Sequence, residues 1–211
     1  MAQAVHPVHT GLQSALRRLG WTGMRGEELS DERLMLNYRD GDVEAFEVLY
    51  ARHTGALYRY CLRHCAGRST AEETFQDVWM RVIGARQRYQ PQAKFSTWLY
   101  RIAHNRVIDR YRADNPGRFQ SLDDDDATVL EPAAGAHCGP ERRLQSDRQA
   151  ARLEQLIAEL PAEQRDVFLL REEAGLGLDA IAEVSGVGRE TVKSRLRYAL
   201  SKLRVALKNE Q

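Results

Sequence analysis

Apolar residues recur at three- and four-residue steps through most of the chain, the period of helices packed on one face. Ser30 is a good N-cap, followed by Asp31 and Glu32, which suit the positive end of a helix, and Gly41 marks its end. Phe46, Leu49, Tyr50, His53, Leu57, Tyr60, Cys61 and His64 form the stripe of a second helix. Ser69 with Glu72 has the spacing of a capping box and predicts the start of a third, with stripe Ala71, Phe75, Val78, Trp79 and Val82. Pro91 interrupts, and Ser96 is expected to cap a fourth helix running to about Arg112. Further on, Leu144 to Leu160 reads as one helix, and Pro161 suits the first turn of the next, which carries Val167, Phe168 and Leu170 and ends near Gly175. Two more helices are expected at 178–185 and 189–208, joined by Ser185-Gly186-Val187-Gly188.

No alternating strand pattern and no internal repeat interrupts this series. The fold class is therefore all-α. Residues 113–145 break the periodicity: they contain Pro116, Pro132 and Pro140, three glycines, and the run Asp123 to Asp126. The expected organisation is an N-terminal extension (1–29), a helical domain (30–112), a flexible acidic linker (113–145) and a second helical domain (146–211). No apolar run approaches the roughly 18–20 residues of a membrane helix, so membrane insertion is not expected. Three cysteines do not make a disulfide framework, and the chain reads as cytoplasmic.

Charge changes the picture. The whole chain has 31 basic and 30 acidic side chains, net +1, which by itself argues against a nucleic-acid partner. The charges are not evenly spread. Residues 30–112 carry 14 basic and 10 acidic groups (+4), and 113–145 carry three and seven (−4). Residues 146–188 carry four and nine (−5), and 189–211 carry seven and two (+5). Acidic stretches thus offset two basic blocks.

Each basic block has further structure. In 189–208, Val192, Leu196, Ala199, Leu203 and Leu207 share one stripe, while Glu190, Lys193, Ser194, Arg197, Ser201, Arg204 and Lys208 lie opposite. With a short helix before it and Gly186 in the turn, this is the pattern of a helix-turn-helix whose second helix enters the major groove. Residues 83–112 hold seven basic groups and only Asp109 as an acid, interleaved with Tyr89, Phe95, Trp98, Tyr100 and Tyr111. Basic groups hold phosphate and exposed rings stack on unpaired bases, so this block suits single-stranded or melted nucleic acid. Tyr89, in a proline-bounded loop, is the ring expected to be exposed, whereas Phe95, Trp98 and Leu99 read mainly as core.

Two such modules joined by an acidic linker identify a resemblance. From about Glu32 to Leu207 the chain resembles a group IV, extracytoplasmic-function (ECF) type RNA polymerase sigma factor of the sigma-70 family. AEETFQDVWMRV (71–82), FSTWLYRIAHNRVIDRYR (95–112) and ETVKSRLR (190–197) carry it. The resemblance implies an alternative sigma factor that binds core polymerase (β′ coiled coil and β flap), recognises the minus-35 and minus-10 elements and melts the promoter. It implies that Glu73, Gln76, Asp77 and Met80 contact polymerase. It implies that Tyr89, Lys94, Trp98, Arg101, Asn105, Arg106, Arg110 and Arg112 engage the minus-10 strand, with Asn105 reaching a flipped base. Arg189, Glu190, Thr191, Lys193, Ser194, Arg195, Arg197 and Tyr198 would meet the minus-35 duplex. It also implies an anti-sigma factor. Gly177, Gly188, Glu190 and Tyr198 depart from common family residues, which bears on minus-35 preference.

Three other readings compete with this one. A polymerase-independent helix-turn-helix regulator explains the C-terminal block but not the aromatic-basic helix. His53, Cys61, His64 and Cys65 are helix neighbours, the last three at spacings a metal could use, yet His53, Cys61 and His64 sit on the apolar stripe and read as core. No phosphate loop, nucleophile motif or deaminase signature points to an enzyme or a cofactor. The charge order predicts that the free chain binds promoter DNA weakly and that core polymerase raises its affinity sharply. Titration of labelled promoter DNA with and without core polymerase checks this; tight, specific binding by the free chain at physiological salt contradicts it.

Overall fold

The computed structural model describes residues 29–114 and 151–208, and every regular element in them is helical. The expected N-terminal extension up to residue 28, nearly all of the expected linker and the start of the helix expected from Leu144 lie outside the described residues. The first group of helices is α1 (Asp31–Arg39), α2 (Val43–His64), α3 (Arg68–Ala85), a 3-10 turn (Arg86–Arg88) and α4 (Phe95–Asp114). The second is α5 (helical over 151–158), α6 (Ala162–Glu172), α7 (Leu178–Ser185) and α8 (Arg189–Lys208).

The ends show which local signals act. Ser30 Oγ accepts from the Arg33 N–H at 3.3 Å, and Asp42 caps α2 by accepting from the Ala45 N–H at 3.2 Å. Gly41 follows α1 at φ 109°, where a Cβ would be strained. Two expected caps are not used. Ser69 lies inside α3, whose N-cap is Gly67 with no side-chain hydrogen bond. Ser96 lies in the first turn of α4, which begins at Phe95 and runs two residues past Arg112. A tertiary contact replaces that local cap: Glu32 of α1 accepts from the Phe95 N–H at 2.8 Å. Partial burial pushes the Glu32 carboxyl up, but backbone donors outweigh it and hold the group below its ordinary value. Pro161 takes the N-cap of α6 rather than its first turn.

Leu34, Met35, Leu49, Leu57, Tyr60, Val78, Phe95 and Leu99 fill the core of the first group. Leu156, Val167, Leu170, Ile181, Val192 and Ala199 fill that of the second. The two cores form one contiguous apolar cluster, because α4 packs against α7 and α2 against α6. Among the described residues no helix is long and apolar enough to cross a membrane.

At the seam sits Asp166 of α6, buried to 7% exposure. Its Oδ1 accepts from the Tyr60 hydroxyl at 2.7 Å, and His64 Nε2 lies 3.3 Å from the same oxygen. His104 Nδ1 lies 3.0 Å from Oδ2. Burial would raise the Asp166 carboxyl, but His104 and His64 override it and hold the group well below the usual range. Burial pushes the His64 imidazole down, against the upward pull of Asp166. The same burial, reinforced by Asp166, pushes the Tyr60 phenol well up.

Two of these contacts bear on stability. Replacing Glu32 by Ala removes the cap of α4 and is expected to cost about 1 kcal/mol in chemical denaturation. The second concerns pH. Unfolded His64, with an ordinary value of 6.5, takes a proton before folded His64 does, so stability falls as pH drops below 6.5. Asp166 adds a second loss below its ordinary 3.8, because only the folded form holds it ionised there. Thermal unfolding followed from about pH 8 to about pH 5 is expected to show the first decline, and His64→Gln to flatten it.

Candidate nucleic-acid interface

Helices α7 and α8 form the expected helix-turn-helix. Gly186 ends α7 in the left-handed region at φ 69°, with its N–H on Ala182 O at 3.0 Å. Gly177 caps α7 without a side-chain bond. Ile181, Val184, Val192, Ala199 and Leu203 are buried and fix the angle between the two helices. Leu207 departs from the expected stripe and is 42% exposed. At about 100° per residue it falls about 60° from the line through Val192, and Ala206 takes the place beside the core.

On the other side of α8, Arg189, Glu190, Thr191, Lys193, Arg197 and Tyr198 are exposed, and Ser194 is half-buried. Arg189 pairs with Asp179 at 2.9 Å and Lys193 with Glu190 at 3.6 Å. The Arg197 guanidinium stands 5.2 Å over the Tyr198 ring. Arg195 differs from the rest: it is half-buried and ion-paired with Glu163 of α6. This pair ties α8 to α6.

The α4 set divides in two. Lys94, Trp98, Arg101, Asn105 and Arg112 recur at three-, four- and seven-residue steps, so they share one face. All are exposed except Trp98, which is half-buried. Arg106 and Arg110 point elsewhere, onto α3. Arg106 Nε donates to Asp77 Oδ2 at 2.9 Å, and Arg110 Nη1 to Glu73 Oε2 at 3.1 Å. Two residues expected at DNA thus pair with two expected at polymerase.

Tyr89 overturns the expectation of an exposed ring. It is 3% exposed, with its ring centroid 5.0 Å from that of Trp98 and 6.3 Å from that of Phe95. Large aromatic rings gain more from such edge contacts and burial than from water, so the loop folds its tyrosine inward. Burial, with Glu32 and Asp31 nearby, pushes its phenol up to about 12.

On α3, Val78 and Trp79 are buried and Phe75 is half-buried, as the stripe predicts. Glu73, Gln76 and Met80 are exposed, Met80 at 65%. Asp77 is half-buried and paired with Arg106. The histidines and cysteines on α2 do not converge. His53 pairs with Asp31 at 2.7 Å and His64 turns to Asp166. Cys61 is buried, which pushes its thiol up to about 12, and Cys65 Sγ lies 3.6 Å from Thr74 Oγ1. Among the described residues, no group of three His, Cys, Asp or Glu is arranged to hold a metal ion.

Sequence reasoning singled out none of Asp166, Glu173 and Glu183. Along the sequence they belong only to an acidic block. Their signal was available in one respect: Asp166 and Glu173 are seven apart and therefore share a helix face.

Comparison with known proteins agrees with this architecture. Residues 49–116 match the family model for sigma-70 region 2, and residues 150–203 match that for sigma-70 region 4. The chain is 27% identical over 185 residues to the ECF RNA polymerase sigma factor SigW of Bacillus subtilis, covering 86% of this chain and 99% of that protein. It is 31% identical over 162 residues to the ECF sigma factor SigE of Mycolicibacterium smegmatis, covering 77% and 61%. Its fold is similar to that of CnrH solved in complex with the cytosolic domain of CnrY, at TM-score 0.63 and 23% identity over 86% of this chain and 99% of that one. With helix-turn-helix, basic α4 and both regions in family order, the chain belongs to the sigma-70 family as a sigma factor of the ECF type.

Proposed function

We propose that the chain directs core RNA polymerase to promoters and opens them, with separate helix faces for each task. The observation that carries this reading is the single face of α4 bearing Trp98, Arg101, Asn105 and Arg112, which Lys94 extends just before the helix. It combines cations for phosphate, an indole for stacking and an amide whose paired donor and acceptor suit a base edge. A surface that binds unpaired bases better than stacked ones shifts the duplex toward the melted state without ATP.

The other roles are laid around it. The exposed side of α8, from Arg189 to Tyr198, meets the minus-35 major groove. Glu73, Gln76, Asp77 and Met80 on α3 meet the β′ coiled coil, and the second domain meets the β flap. Arg106 and Arg110 support α4 through Asp77 and Glu73, and Tyr89 supports Trp98 from behind. The expected linker, 113–145, threads the polymerase cleft. An anti-sigma factor is a further partner, supported by the solved relatives: CnrH is bound to the cytosolic domain of CnrY, and an RpoE to the anti-sigma factor NepR. The chemistry belongs to polymerase, so this subunit works in the cytoplasm as a recognition factor, not an enzyme.

In-vitro transcription with core polymerase on a matched promoter tests the reading. Promoter-specific transcript is expected, and its absence sinks the proposal in favour of a polymerase-independent regulator. Asn105→Ala is expected to lower open-complex formation about tenfold while core binding is unchanged, the loss of a hydrogen-bonded base contact. Met80→Glu is expected to lower core binding itself in a pull-down assay.

A further inference from the structure

Helix α8 carries seven Lys and Arg side chains and a single acid, Glu190, its second residue. The Glu190 side chain is 79% exposed. Lys193, Ser194 and Arg197 follow it at three-, four- and seven-residue steps, so all four share one face of the helix. The Lys193 ammonium stands 3.6 Å from Glu190 Oε2 and is itself 66% exposed. Arg189, the residue before Glu190, is turned to Asp179 of α7 at 2.9 Å. The leading end of α8 therefore presents a carboxylate and an ammonium side by side, while its first cation is engaged with the neighbouring helix.

Two roles suit an acid at this place. In the first turn of a helix a carboxylate answers the positive end of the dipole, a small contribution that is blind to DNA sequence. On a surface that meets DNA the same carboxylate repels phosphate and weakens the sequence-independent part of binding. It favours the complex only where it accepts a hydrogen bond from a base. The amino donors of the major groove are cytosine N4 and adenine N6. Adenine N6 stands between two acceptors, its own N7 and thymine O4, and both repel a carboxylate. Cytosine N4 is the outermost polar group of its pair, with guanine O6 and N7 both to one side. A carboxylate flanked by an ammonium matches that order of donor and acceptors.

We propose that Glu190 and Lys193 together read one C·G pair of the minus-35 duplex, Glu190 accepting from cytosine N4 and Lys193 donating to guanine O6 and N7. The inference rests on the promoter role proposed above and adds the base pair that the leading end of α8 selects. Glu190 is then a filter as well as a contact. At C·G its carboxylate is satisfied. At G·C or A·T it faces ring-nitrogen acceptors, and at T·A a methyl group, and at each of these it still repels phosphate. The acid lowers affinity for DNA in general and restores it at one pair, so discrimination comes from the wrong pairs being penalised.

The test uses the full chain with core polymerase on a pool of promoters randomised through the minus-35 element, each carrying a transcribed barcode that is sequenced. The parent is expected to favour C over the other bases about tenfold at one position. Glu190→Gln is expected to move that position from C to A and to leave the others alone, because a carboxamide donates to adenine N7 and accepts from N6. Glu190→Ala is expected to level the same position while raising the affinity of the polymerase complex for duplexes that lack the element. Lys193→Ala is expected to weaken the preference at that position and not at another. A carboxylate that serves only the helix dipole lowers the yield from every promoter alike when it is replaced, and base preferences that stay as they were in Glu190→Gln and Glu190→Ala overturn the proposal alone. A parent preference other than C at the position that Glu190→Ala levels overturns it too, as does a Lys193→Ala effect at a different position. No transcript from any promoter in the pool removes the promoter reading, and this inference with it.

Discussion

A buried carboxylate must be met by donors, and Asp166 meets that demand with side chains from another domain. Tyr60 and His64 come from α2 and His104 from α4. Desolvating a charge is costly, so the Tyr60 hydroxyl and the two imidazoles must stand close around the carboxylate. That constraint sets α6 on α2, which in turn brings α7 onto α4. The relative placement of the two helix groups follows from it. The continuous apolar cluster supplies area; the carboxylate supplies register.

Helix α4 is the element on which the other contacts converge. Phe95, Leu99, Tyr100 and Ala103 are in the core, Arg106 and Arg110 bind the acids of α3, and Arg101 meets α7. Its first amide is capped by Glu32 from α1. A helix held on so many sides keeps one orientation, and its remaining face can present Trp98 and Asn105 at a fixed distance. The paired arginines also mean that α3 and α4 cannot be treated as independent surfaces. A partner that draws on Asp77 or Glu73 alters the charge balance of the neighbouring helix. Rigid presentation and electrical coupling thus arise from the same contacts.

The helix-turn-helix was legible in detail because its signals are local. Gly186 needs no neighbour to favour a left-handed turn, and the apolar stripe from Val192 to Leu203 follows helix geometry. The same holds for Ser30, Gly41 and the stripe of α3. Local reasoning failed where a distant residue offered a better partner. Ser96 had the right chemistry for a cap, yet the Phe95 amide went to Glu32, 63 positions away. Tyr89 sat in a proline-bounded loop that read as exposed, yet the Trp98 and Phe95 rings gave it a larger contact than water could.

The sequence by itself determined the helical class, the two basic blocks, the order of the modules and the family, because periodicity, turn residues and charge order all lie along the chain. It also determined which residue types were available for phosphate and bases. Only the tertiary structure decided which of them face outward. It divided one run of arginines into Arg112 on the open face, Arg101 turned to Glu183 of α7, and Arg106 and Arg110 against α3. It also turned an undifferentiated acidic block into a surface that fits a basic one. Helix periodicity fixes angles around a single axis, whereas an ion pair needs two axes brought to a set distance. That distance is set by packing between elements far apart in the chain.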